Sequence, residues 1–217
     1  MPASSTPKVT LYFAPRSRAS RALWLLEELG VPYELRVLDL TRADQKTDEL
    51  LALNPMGKVP IVTLDGHPIW ETTAITAHLC DVFPEAGLAP KIGTPARADY
   101  YRWLSFGTGV MEPAFMDLVK KHEVNTRQAG WGDFASVKRA IAAGLEKGPW
   151  LLGDRFTGAD LVTGGTLDFF TMWAADQFAD IPGLDAYLKR LRARPALRKA
   201  REIDQEVFAR QEAAHAS

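Results

Sequence analysis

The spacing of apolar residues changes partway along the chain. Lys8–Ala14 (KVTLYFA) is a short apolar run rich in Val, Tyr and Phe, and Pro15 ends it. This predicts a buried strand. A helix follows through Ala22–Leu29, stopped by Gly30 and Pro32. Tyr33–Leu40 alternates through Tyr33, Leu35 and Val37, the period of a second strand. Parallel pairing of the two strands through the intervening helix would form a right-handed βαβ unit. Thr47–Leu53 reads as a short helix. Pro60–Leu64 and His67–Trp70 flank Asp65-Gly66, a two-residue hairpin signal. Thr72–Phe83 then returns to helical spacing, with Ile75, Leu79, Val82 and Phe83 on one face.

Beyond Phe83 the composition shifts. Pro84–Pro95 (PEAGLAPKIGTP) is rich in Pro and Gly and reads as a linker. After it every periodic segment is helical: Ala96–Lys121, Asp133–Lys147, Gly158–Asp176, Leu184–Arg194 and Ala196–Gln211. The expected organisation is a small α/β domain over residues 1–83, a linker over 84–95 and an all-helical domain over 96–217.

Composition narrows the partners. The 217 residues carry 26 basic and 27 acidic side chains, a net charge of −1, which favours neither nucleic acid nor an anionic membrane. An apolar fraction of 47% is enough for a sizeable core. The single cysteine, Cys80, excludes an internal disulfide framework and fits a reducing compartment. The start, MPASSTPK, lacks an apolar core, so no signal peptide is expected, and no apolar stretch is long enough to span a membrane. The histidines, His67, His78, His122 and His215, show no metal-ligand spacing.

Two segments carry most of the candidate chemistry, Asn54–Ile61 (NPMGKVPI) and Ile69–Ile75 (IWETTAI). In the first, Pro60 cannot donate to a strand partner. It either starts an edge strand or leaves the main chain of Val59 open to an extended peptide. In the second, Glu71-Thr72 opens a helix. Its residues either cap that helix or leave a helix N-terminus that attracts a carboxylate. Together the two segments suit an extended peptide with an acidic end.

With Leu11–Ser17 (LYFAPRS), Trp24–Pro32 (WLLEELGVP), Phe156–Leu161 (FTGADL) and Arg194–Ala196 (RPA), these segments make the chain resemble the cytosolic glutathione S-transferases from Val9 to Ala200. A bacterial, serine-type member is the nearest pattern. The resemblance implies a thioredoxin-like N-terminal domain and an all-helical C-terminal domain. It also implies glutathione as co-substrate, no metal, a cytoplasmic homodimer and no membrane or nucleic-acid partner. Pro60 would be cis, and Val59 would pair with the tripeptide. Thr72, where the family more often has Ser, would hold the γ-glutamyl carboxylate. Glu71 would take the ammonium group and Lys58 would reach the glycyl carboxylate.

The thiol activator has rival candidates. Ser17, two residues after Pro15, stands where the serine-type classes place the catalytic hydroxyl, and as an isolated feature it reads as an N-cap. Tyr12 would be the donor in a tyrosine-type reading, and otherwise a strand Tyr in the core. Arg16 or Arg18 could stabilise a thiolate by charge. The cysteine-type classes carry Cys one residue beyond Ser17. Here that residue is Arg18, which argues against a mixed disulfide on the protein, and Cys80 reads as a structural thiol. The aromatic and Met-rich stretch from Tyr100 to Met116 would supply the electrophile site, with Met111, Phe115 and Met116 as its candidates and Ser105 or Glu112 as polar contacts to glutathione. Thr157–Asp160 reads as a capping box that serves folding. The expected activity is conjugation of glutathione to an apolar electrophile. Its rivals are a glutathione-dependent peroxidase or dehalogenase, and a non-catalytic ligand-binding or regulatory protein on the same fold.

Overall fold

The computed structural model describes residues 7–216. Met1–Thr6, part of the segment in which no signal peptide is expected, lies outside the described residues, as does Ser217. The chain forms two compact units. One takes the residues up to His78 together with those from Pro195 onward, and the other takes Leu79–Arg194. The division falls inside a helix, and the last helix of the chain belongs with the first unit.

The first unit is built on a four-stranded sheet of order β2-β1-β3-β4, with β1 Val9–Phe13, β2 Tyr33–Val37, β3 Ile61–Leu64 and β4 His67–Trp70. β1 pairs parallel with β2 and antiparallel with β3, and β3 pairs antiparallel with β4. Every residue of β1 is buried, as a central strand covered on both faces requires. β2 lies at the sheet edge, so its alternation buries little and Val37 is exposed. Asp65 and Gly66 both have positive φ, 50° and 85°, which suits a two-residue hairpin turn matched to strand twist.

The helices of this unit are α1 Ala19–Leu29, α2 Asp48–Leu53, α3 Thr72–Val82 and α9 Pro195–His215. The hydroxyl of Thr47 accepts from the Leu50 N–H at the start of α2. α1 ends on Gly30 at φ 67°, a left-handed stop that glycine takes without a Cβ clash. Eight residues of α1 are buried, too many for one apolar stripe. The helix packs against both β1 and α9. α9 itself buries only Leu197, Ala200 and Val207. Its attachment is therefore largely polar, as in the Lys199–Glu27 ion pair at 2.7 Å with the glutamate side chain buried.

The second unit is helical: α4 Pro95–Phe106, α5 Glu112–Lys120, α6 Phe134–Leu145, α7 Gly165–Ala174 and α8 Leu184–Arg192. Two of the helices expected from spacing are interrupted. A π-helical turn at Gly107–Met111 divides the predicted Ala96–Lys121 helix, and another at Asp160–Gly164 precedes α7. The two turns are in contact. A Cβ on Gly107 would stand 3.1 Å from the Thr163 Cα, and the Thr163 hydroxyl donates to the Trp103 carbonyl at 2.5 Å. A close backbone crossing, with Pro113 just inside α5, accounts for the break. Phe115 stacks on Phe170 at 3.9 Å between ring centroids, with Phe134 and Phe178 around them.

The fold is thus a thioredoxin-like unit with a mixed four-stranded sheet and an all-helical unit. Among the described residues no helix is long and apolar enough to cross a membrane.

Candidate functional site

Strand register brings three loops to one end of the sheet. β1 runs out at Phe13, and Tyr12 pairs with Ile61, the first residue of β3. Ile61 also pairs with Trp70, the last residue of β4. The loop after β1 carries Ser17, the turn before β3 carries Val59 and Pro60, and the step after β4 carries Glu71 and Thr72. All three therefore open at the same edge of the same unit.

The turn before β3 is shaped by Asn54, a buried residue whose role as organiser spacing does not reveal. Its amide nitrogen donates to the Lys58 carbonyl at 2.9 Å, and its side-chain oxygen accepts from the Met56 N–H at 3.0 Å. Its own carbonyl accepts from Gly57 at 2.9 Å, with Gly57 at φ 57°. The one sequence signal is an Asn followed by Pro, a turn-initiating pair. The Val59-Pro60 bond is cis. Lys58 is exposed. Among the described residues the N–H and C=O of the half-buried Val59 take part in no hydrogen bond.

At the start of α3, Glu71 sits at φ 70°. That is a conformation an L-residue holds only when its surroundings impose it, and it gathers at functional sites. Glu71 is exposed while Thr72 is buried, and the Thr72 carbonyl accepts from the Thr76 hydroxyl at 2.8 Å. Glu71 makes no side-chain hydrogen bond or ion pair among the described residues.

Ser17 is half-buried just ahead of α1. Its hydroxyl donates to the Ala14 carbonyl at 2.7 Å and accepts from the Ala19 N–H at 3.1 Å. Tyr12 is 8% exposed and belongs to a core cluster with Leu38, Leu50 and Ile61, against which Leu53 and Val59 pack. Arg16 is turned away to another task. Its guanidinium lies 3.4 Å from the centroid of the Phe208 ring on α9, and its N–H donates to Asp204 on the same helix. Arg18 is exposed and precedes α1 without a side-chain cap. Spacing does not single out Asp204 or Phe208; their separation of one helical turn is the only sequence signal.

In the second unit Met111 and Phe115 are core residues and Met116 is 38% exposed. Ser105 is exposed and Glu112 is buried. Cys80 is buried, and that burial pushes its thiol up to about 11. It stays protonated and unreactive at neutral pH. Asp160 accepts from the Leu151 N–H at 2.9 Å, the Thr157 N–H at 3.0 Å, the Thr157 hydroxyl at 3.2 Å and the Tyr187 hydroxyl at 3.1 Å. Burial pushes its carboxyl up to about 6 against those bonds.

Comparison with known proteins follows this geometry. Residues 7–81 match the glutathione S-transferase N-terminal domain, and residues 125–190 match the glutathione S-transferase C-terminal domain. Glutathione S-transferase GST-4.5 of Xanthomonas campestris pv. campestris is 31% identical over 174 residues, 75% of this chain and 82% of that protein. The disulfide-bond oxidoreductase YfcG of Escherichia coli is 26% identical over 209 residues, 88% of this chain and 94% of that protein. A glutathione transferase structure from Methylococcus capsulatus superposes with a TM-score of 0.74 at 30% identity, covering 91% of this chain and 98% of that one. Sheet, loops and both matched regions agree: this chain belongs to the glutathione S-transferase family.

Proposed function

We propose that the chain binds glutathione along Val59 and activates its thiol for conjugation to an apolar electrophile. The observation that carries this reading is the unpaired main chain of Val59, at the sheet end shared with Ser17 and Glu71-Thr72. The cysteinyl unit pairs with Val59 as a short added strand. Its γ-glutamyl carboxylate meets the N-terminus of α3 at Thr72, its ammonium meets Glu71, and its glycyl carboxylate meets Lys58.

An ordinary thiol has a pKa of about 8.5, and each unit of lowering needs about 1.4 kcal/mol of preference for the thiolate. Ser17 supplies part of this. A serine hydroxyl has one hydrogen, which rotates from the Ala14 carbonyl to the sulfur while the Ala19 N–H keeps the oxygen in place. The thiol proton passes to solvent. The sulfur lone pair then forms the new S–C bond as the leaving group departs with its own bonding pair. Of the three residues expected to bind the electrophile, Met111 and Phe115 are buried and Met116 is exposed. The same reading carries a cytoplasmic location and a homodimer, and light scattering would check the dimer.

The test is a calorimetric titration with glutathione, paired with turnover of a panel of chromogenic electrophiles. Ser17→Ala is expected to raise the apparent pKa of the bound thiol by about one unit, and Tyr12→Phe to leave it in place. The reverse pattern would move the activator to Tyr12. Binding without turnover on the whole panel would support a non-catalytic protein. The relative named as a disulfide-bond oxidoreductase favours a second reading, in which two glutathiones reduce a disulfide or peroxide and leave as glutathione disulfide. That chemistry would run without a protein thiol, since Arg18 follows Ser17 and Cys80 is buried. Release of glutathione disulfide in place of a thioether conjugate would identify it.

A further inference from the structure

The β1–α1 loop that carries Ser17 is held from outside by α9. Arg16 stands at φ 54°, a conformation that needs support from its surroundings. The support comes from Asp204. Both carboxylate oxygens accept from the Arg16 N–H, at 3.1 and 3.2 Å, and the Ser20 hydroxyl in the first turn of α1 donates to the same carboxylate. One turn further along α9, Phe208 lies under the Arg16 guanidinium. The stripe continues: Gln211 donates to the Leu38 carbonyl at 3.1 Å, and His215 pairs with Asp39, both just past the end of β2. Residues 204, 208, 211 and 215 follow at intervals of four, three and four, one face of a helix. Asp204 thus grips the chain on both sides of Ser17, at Arg16 and at Ser20.

We propose that Asp204 is a positioning residue for thiol activation, fixing the loop so that the Ser17 hydroxyl meets the sulfur. This rests on the functional reading above. Glutathione itself is held by Val59, Thr72 and Glu71, none of which Asp204 touches, so the carboxylate acts on the reactive geometry and not on the grip.

The experiment is steady-state kinetics at saturating electrophile with glutathione varied. Asp204→Ala is expected to lower kcat about tenfold, because small displacements of a reacting group are costly, with the glutathione KM held within about threefold. Asp204→Asn keeps an oxygen for the Arg16 N–H and is expected to recover kcat to within about threefold of wild type. On a Ser17→Ala background, Asp204→Ala should change kcat by less than about twofold, since the two act as one unit. Where Asp204→Ala fails to fold, Phe208→Leu loosens the same loop and should lower kcat about threefold at unchanged KM, again only while Ser17 is present. A rise in KM at constant kcat, an undiminished loss in the Ser17→Ala background, or an Asn variant as poor as Ala would overturn the proposal. Wild-type protein that neither binds nor turns over glutathione would instead overturn the functional reading on which it stands.

Discussion

Two helix starts in this chain combine a threonine with an acid and use them in opposite ways. Ahead of α7, Thr157 and Asp160 close on each other. The carboxylate accepts from two backbone N–H groups and two hydroxyls, and no part of it reaches solvent. At α3, Glu71 is exposed on a strained φ of 70°, and the main chain of Val59 at the same sheet end lacks a partner. The residue types are nearly the same. What differs is whether the protein fills its own hydrogen bonds. A closed start supports the fold; at the open one the Glu71 side chain and the nearby Val59 main chain stay without partners among the described residues.

Substitution should separate the two most widely in stability. Asp160→Ala would orphan the Leu151 and Thr157 amides and the Tyr187 hydroxyl in the core, a loss of about 4 kcal/mol. Glu71→Ala removes an exposed side chain and should shift stability by no more than about 0.5 kcal/mol. Urea unfolding of both variants measures this, and comparable losses would erase the contrast.

Acid sharpens it next. The Asp160 carboxyl is raised from 3.8 to about 6 by burial, so the native chain holds this proton more tightly than the unfolded chain does. The contribution is fully present below the unfolded value near 3.8 and is lost as pH rises through about 6. It is on the order of 3 kcal/mol across that window. Melting temperatures followed from pH 7 to pH 5 should show this component, and Asp160→Asn should remove it. A component of the opposite sign would contradict the burial argument.

The smallest expected effect is at the open start. Thr72→Val keeps the shape and removes the hydroxyl. It should weaken glutathione about tenfold, or about 1.4 kcal/mol. Calorimetry reads the affinity; an unchanged value would remove the Thr72 hydroxyl from the site.

Much of this was legible in the sequence where local chemistry decides the structure. Asp65-Gly66 demands a tight turn and Gly30 stops α1; each follows from residues within a few positions. The motifs around Pro60 and Glu71 also located the candidate site. Features set by distant chain were not legible. The break at Gly107 depends on the approach of Thr163, sixty positions beyond Trp103, whose carbonyl that threonine binds. The loss of alternation in β2 depends on its place at the sheet edge. The capture of Arg16 by Asp204 spans 188 positions, and no local pattern announces it. Linear reading grouped α9 with the helical region for the same reason: its period is helical, and nothing local says which unit receives its buried Leu197, Ala200 and Val207.

The central claim is that glutathione extends along the main chain of Val59 with its γ-glutamyl carboxylate at Thr72. A crystal structure of the chain with reduced glutathione tests it most directly. The account predicts hydrogen bonds of about 2.9 Å from the Val59 N–H and C=O to the cysteinyl unit, with the Ser17 hydroxyl turned to the sulfur. A bound tripeptide that leaves Val59 unpaired, or that seats its γ-glutamyl end away from Thr72, would contradict it.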